Sequence, residues 1–173
     1  MTYPERENMH PKIRAMTEDN IEKYGVAIMG VGDNPSFSYT IGLVEPFGFE
    51  IITVGLPPRI AQIILNDIHK SMKEGLVLEL EKIYTPEETP WANLPMKFIK
   101  ADHPLLFEKY LVQARCWWGR DFPVYQMVFS DRAGLLPGQD GYDHEYMDPR
   151  QHLLVVKLRE LVSKPAPTEA TKK

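Results

Sequence analysis

The sequence predicts an α+β fold: a mainly antiparallel, twisted sheet with two or three helices packed on one face. Three observations carry this. Strand-length apolar runs come early and are parted by short turn signals, so they read as a meander. Helical patterns are interspersed, without the regular strand–helix alternation of a parallel sheet. The 173 residues, 43% hydrophobic and 25% charged, suit a single globular domain with a continuous core.

Residues 1–16 are polar and proline-bearing and read as an arm, ahead of a domain over 17–163 and a disordered tail over 164–173. Thr17 caps a short helix that Gly25 ends. Val26–Val31 is an apolar strand, Gly32-Asp33-Asn34-Pro35 a turn, and Phe37–Leu43 the returning strand of a hairpin. Phe49–Val54 is the third strand. Pro57-Pro58 opens the clearest helix, with Ala61, Ile64, Leu65, Ile68 and Met72 on one face, and Gly75 ends it.

Leu76–Tyr84 has β-like composition, 85–94 is a loop and Met96–Lys100 a short strand. Trp91, between Pro90 and Pro95, has no obvious core role. A second long helix is expected from Asp102 to Gly119, with Phe107, Tyr110, Leu111, Ala114 and Trp118 as its apolar stripe. Trp117 lies about 100° from Trp118 on a helix and is expected to be half-exposed. Val124–Phe129 is the last strand. Asp148-Pro149-Arg150-Gln151 has the form of a cap for a third helix reaching Val162.

A net charge of −4 and a pI near 5.7 provide no global field for nucleic acid or an acidic membrane surface, so neither is expected as a partner. The single cysteine, Cys116, excludes an internal disulfide and fits a reducing compartment. The N-terminal residues lack an apolar core, and no later stretch reaches membrane-span length, which sets a cytoplasmic, soluble expectation.

Alternation along Phe37–Leu43 places Tyr39 inward and Thr40 and Gly42 on the opposite face. Gly42 and Gly55 would admit close approach by a ligand; equally, they relieve twist or let another strand cross. Trp117 and Arg120, near Arg115, would stack on a planar ring and pair with an anion, against the commoner reading of aromatic stripes as packing. Asp131, at the end of a buried strand, serves as ligand contact or as the cap of its own turn. Asp140, Asp143, His144, Glu145, Asp148 and His152 make an acidic loop that matches no established metal spacing, so no metal and no cofactor are expected. Cys116 lies inside a helix, and His10, His69 and His103 have no visible catalytic partner.

Tyr39-Thr40-Ile41-Gly42-Leu43, Glu50–Pro57 ahead of a helix with Leu65-Asn66, and Gln126–Pro137 with its Phe-Ser-Asp-Arg-Ala-Gly core form a combination. On these pieces the chain resembles a family of bacterial and phage proteins known as a domain of unknown function, number 4262. The resemblance runs from about Ile21 to Pro137. This chain has Phe49-Glu50 where that family commonly has Pro-Glu, and Gly138 where it commonly has Trp. The resemblance implies the fold and carries no catalytic assignment.

The expected function is binding of a small molecule, nucleotide-like and anionic, at a rim of Tyr39, Thr40, Gly42, Trp117, Arg120 and Asp131. Two alternatives stand beside it: a hydrolase or transferase with Asp131 as general base, and an interaction module or homodimer using Trp91, Phe47 or Trp117. The sequence leaves open whether the protein is an enzyme.

Overall fold

The computed structural model describes residues 3–156, apart from 90, 92 and 93. Tyr3–Asn8 form a 3-10 turn, followed by α1 (Pro11–Tyr24), β1 (Ala27–Val31), β2 (Phe37–Ile41), α2 (Val44–Phe47), β3 (Glu50–Val54) and α3 (Pro58–Lys73). Then come β4 (Met96–Lys100), a π-helical turn (Leu106–Tyr110), α4 (Val112–Trp118), β5 (Val124–Phe129) and α5 (His144–Met147).

The α+β class holds, but the sheet is mixed. Its order is β1-β2-β3-β5-β4, with β1–β2–β3 an antiparallel meander, β3 and β5 parallel, and β4 antiparallel to β5. Alternation reports which residues face a core and is silent on strand direction. Direction is decided by where the long connection through α3 and 74–95 returns the chain. Helices also cover both faces. On one, Ile64, Leu65 and Ile68 of α3 pack on Ile51, Phe98 and Met127. On the other, Leu111, Ala114 and Trp117 pack on Tyr39, Ile52 and Val124. Strands β2 and β3 are therefore buried along their whole length.

Several boundaries differ from the sequence reading for local reasons. The first helix starts at Pro11, capped by His10, whose Nδ1 accepts the Lys12 amide at 3.1 Å. Thr17 sits inside it, donating its hydroxyl to the Ile13 carbonyl at 2.7 Å. Much of the segment read as an arm is thus packed, with Met9 in the core and the Arg6 guanidinium 3.7 Å from the Trp117 ring centroid. Leu76–Tyr84 is no strand: its pairing with β4 is limited to isolated bridges at Leu80 and Tyr84, and Glu81 has a φ of 68°. Trp91 is core, 2% exposed, against Tyr84 and Phe98.

The helix expected from Asp102 to Gly119 breaks at Leu111 (φ −92°, ψ 50°). The break resets the rotational phase of α4, so Trp117 turns into the core and Trp118 becomes the half-buried one. The Asp148-Pro149 signal ends a helix instead of starting one. Asp143 is the true cap, its Oδ1 accepting the Tyr146 amide at 3.1 Å, and residues 149–156 are not helical. The rest of that expected helix, 157–162, and the tail over 164–173 lie outside the described residues.

Two glutamines hold the 151–154 segment to β5 in place of a strand. Gln151 Oε1 accepts the Phe129 amide at 2.9 Å, and its Nε2 donates to the Phe129 carbonyl at 3.0 Å. Gln126 Nε2 donates to the His152 carbonyl at 2.7 Å, and its Oε1 accepts the Leu154 amide, also at 2.7 Å. Phe129 needs this because β3 pairs with β5 only as far as Thr53↔Met127. Gln151→Ala strands both backbone groups of a buried residue and is expected to cost about 3 kcal/mol. Urea unfolding measures this, and a loss below about 1 kcal/mol would contradict the pairing role.

Candidate functional site

The end of the sheet where β3 and β5 begin gathers the polar chemistry. Glu50 opens β3, opposite Val124 of β5, and is fully buried. Its Oε1 accepts the Thr40 hydroxyl at 2.6 Å. Its Oε2 accepts the amides of Gly42 (2.8 Å), Leu43 (3.0 Å) and Val44 (3.3 Å) and the Trp118 indole N–H (2.9 Å). The Thr40 oxygen also accepts the Ile51 amide at 2.9 Å, which carries the β2–β3 pairing past Tyr39↔Ile52, the last pair of that ladder. Every donor is neutral. Burial therefore pushes the Glu50 carboxyl up to about 7, against the downward pull of Thr40, Gly42, Trp118 and Leu43.

Beside this cluster lies a groove of about 530 Å³. Pro46, Phe47 and Gly48 form one lip, and Met72, Leu76 and Val77 the other. Its floor is Phe49 stacked on Tyr125, with ring centroids 3.9 Å apart and 7° between planes. Lys100 is the one charged residue in the lining and pairs with Tyr125 across β4 and β5. Among the described residues, neither the Lys100 ammonium nor the Tyr125 hydroxyl has a partner. Val77 is 75% exposed at the mouth.

The residues named from the sequence do not share one pocket. Thr40 and Gly42 meet at Glu50. Tyr39 faces the other way, under α4, where its hydroxyl accepts the Gln113 amide at 3.1 Å and burial pushes the phenol pKa up. Trp117 is buried beneath Arg6, which donates from Nε to the Trp117 carbonyl at 2.6 Å. Arg120 is exposed and, among the described residues, reaches the Asp121 carbonyl alone, at 3.4 Å. Asp131 stands at the opposite end of β5 from Glu50, roughly 20 Å away along the strand.

Asp131 is wholly engaged in its own loop. Its Oδ1 accepts the Ala133 and Leu135 amides, both at 2.9 Å, and its Oδ2 the Asp143 amide at 2.9 Å. The Leu135 amide, with those of Asp143, Ala133 and Gly134, holds its carboxyl below the usual range, and burial opposes them. Such a carboxylate is a weak base. The nearby acidic loop pairs His144 with Asp148 at 3.2 Å, and no group of three or more His, Cys, Asp or Glu among the described residues is placed to hold a metal.

Two glycines admit the protein's own backbone. A Cβ on Gly42 (φ 125°) would lie 2.9 Å from the Gly25 carbonyl, and one on Gly55 would collide with that of Arg150. Glu50, which lies in a family-like piece, Trp118, read as core stripe, and Lys100 and Tyr125 are not among the site residues expected from the sequence. Glu50 does carry a signal in hindsight, as the one ionisable residue within the apolar run Phe49–Val54.

The family described as a domain of unknown function (DUF4262) matches residues 20–143. The chain belongs to the DUF4262 family. The matched span of this DUF4262 chain includes the Glu50 cluster, the groove and the Asp131 loop. No curated protein and no solved structure matches the chain. Among the described residues, no helix is long and apolar enough to cross a membrane.

The Glu50 environment has a measurable consequence. The carboxyl ionises at about 7 in the folded DUF4262 chain against an ordinary 4.5, so the folded state holds the proton more tightly between these values. Its stabilisation is complete below pH 4.5 and is lost as pH rises through 7, a change of about 3 kcal/mol. Glu50→Gln, which keeps the shape, is expected to flatten the difference in unfolding free energy between pH 5 and pH 8. Equal pH dependence in the two proteins would refute this.

Proposed function

We propose that the protein binds a small molecule with a flat apolar body and one anionic group, in the groove between α2 and the C-terminal end of α3. The observation that carries this is the Lys100–Tyr125 pair. Lys100 and Tyr125, register partners whose ammonium and hydroxyl have no partner among the described residues, line a cleft otherwise walled by aliphatic and aromatic carbon. Such a balance, few polar groups on apolar walls, is what orients ligands in pockets of this size.

The chemistry of the lining narrows the ligand class. One lysine and no arginine suit a carboxylate, a sulfonate or a single phosphate better than a polyphosphate. The stacked Phe49–Tyr125 floor offers a planar surface to a ring. The reading of Asp131 as a general base draws little support, because its lone pairs are taken up by loop amides and its acidity is enhanced.

The probe for this reading is 8-anilinonaphthalene-1-sulfonate, which is flat, apolar and singly anionic. Its fluorescence is expected to rise saturably with the native protein. Lys100→Glu should weaken binding by about tenfold or more while leaving the thermal unfolding curve in place. No saturable binding by the native protein, or equal affinity in the variant, would refute the groove as a ligand site.

A further inference from the structure

The two edges of the sheet are β1 and β4. The β4 edge is closed by the segment before it: the Glu81 amide donates to the Phe98 carbonyl at 2.8 Å, and Tyr84 and Met96 exchange backbone bonds at 2.7 and 2.9 Å. The β1 edge is open. The Gly55 amide donates to the Ser36 carbonyl at 2.8 Å, one step beyond the Phe37↔Val54 pair, so Ser36, Ser38 and Thr40 turn their backbone groups toward β3. Phe37, Tyr39 and Ile41 turn theirs toward Val31, Met29 and Ala27. Ile28 and Gly30 are left with N–H and C=O on the outer side, and none of these groups has a partner among the described residues.

Proteins ordinarily blunt such an edge with a charge, a proline, a bulge or a cover. Ala27–Val31 carries no charge and no proline, its register with β2 runs without a bulge, and Gly30 is exposed. We infer that this edge is a docking site for an extended, uncharged peptide segment of a partner protein, which adds to the sheet as a further strand beside β1.

The surroundings of the edge select that occupant. On one face of β1, Ile13 and Ile21 of α1 share a core with Met29 and Val31; on the other, Ile64, Leu65 and Ile68 of α3 share a core with Val26 and Ile28. A cleft of about 360 Å³ is lined by Asn20 and Tyr24 of α1, by Gln62 and Asn66 of α3, and by Val26 and Ile28 between them. Because it draws on both helical layers, it runs across the outer edge of the strand. Among the strands, α1 packs chiefly on β1. A helix about 10 Å across therefore overhangs the place of one added strand, about 4.8 Å away. Edge-to-edge pairing of two copies would set their α1 axes about 5 Å apart, inside the roughly 8–10 Å at which helices pack. One bare strand fits where a second copy of the domain does not.

The lining sets the side chains. Tyr24, 61% exposed, and Ile28 offer apolar surface to those residues of the added strand that point toward α3. No charged residue lines the cleft, so a carboxylate or ammonium there would lose water without gaining a counter-ion. The carboxamides of Asn20, Gln62 and Asn66 have no partner among the described residues. Each carries donors and an acceptor, which match the groups that a peptide bond presents. In strand addition of this kind, main-chain bonds supply affinity and alternate side chains supply selectivity.

The test uses capped seven-residue peptides with threonine at odd positions and a mixture of valine, leucine and phenylalanine at even ones, added to the full chain and followed by amide NMR. Saturable shifts at Ile28 and Gly30 are expected, with hydrogen exchange at both amides slowed by about tenfold or more. Of two N-methylated sets, one modified at every threonine and one at every apolar residue, one should lose binding by about tenfold and the other keep it, because only alternate N–H groups of a strand face β1. Gly30→Pro removes the outward N–H, whereas Gly30→Ala adds a Cβ at the same place, 3.1 Å from that of Pro58, and keeps it. Affinity should be about tenfold lower in the proline variant than in the alanine variant. No saturable binding, binding without shifts at Ile28 and Gly30, equal affinity in the two Gly30 variants, or equal affinity for a set with lysine or glutamate at the even positions would overturn the proposal. So would slow exchange of both amides in the protein alone, which would mean that its own chain or a second copy already covers the edge. Should Gly30→Pro not fold, the two N-methylated sets make the same decision.

Discussion

A single buried carboxyl ties three parts of this fold together. Glu50 belongs to β3, receives the hydroxyl of Thr40 from β2, three amides from the turn into α2, and the indole of Trp118 from α4. Donors that would be orphaned at a strand end and a helix start find their acceptor there. The arrangement is costly in one respect, because no cation offsets the buried charge. Burial, with that imbalance, raises the carboxyl's pKa to about 7.

The sheet shows a second use of side chains as surrogate backbone. Where β3 stops pairing with β5, the amide of Gln151 takes over the hydrogen bonds of Phe129, and Gln126 does the same for the strand-like stretch at His152 and Leu154. Thr40 performs that duty between β2 and β3. In each case a polar residue that looks out of place in an apolar stretch is satisfied by a neighbour remote in sequence, so burial and polarity cease to conflict.

The candidate site lies at one end of this architecture. The apolar groove, its Lys100–Tyr125 handle and the Glu50 clamp share the edge where β3 and β5 begin, while the Asp131 loop at the other end is a self-contained turn. The proximity matters physically, since the α2 lip is both a wall of the groove and the segment whose first amides the carboxyl accepts.

Much of the fold was legible in the chain itself. The β1–β2 hairpin, β3, α3 and β5 follow from periodicity and turn residues, because each depends on neighbours within a few positions. The family resemblance rests on the same local pieces. Thr40 and Gly42 were visible as site candidates, whereas Glu50 was legible only as part of a family-like strand motif and as an odd charge in an apolar run, not as a site. What tertiary structure alone decided are relations between distant segments: the parallel pairing of β3 with β5, helices on both faces, Trp117 turned inward by the break at Leu111, and Lys100 beside Tyr125. A local pattern records which side of an element is apolar. It holds no record of strand direction, of helix phase after a break, or of which remote donor meets a buried carboxylate, because those are set by packing between residues far apart in the chain.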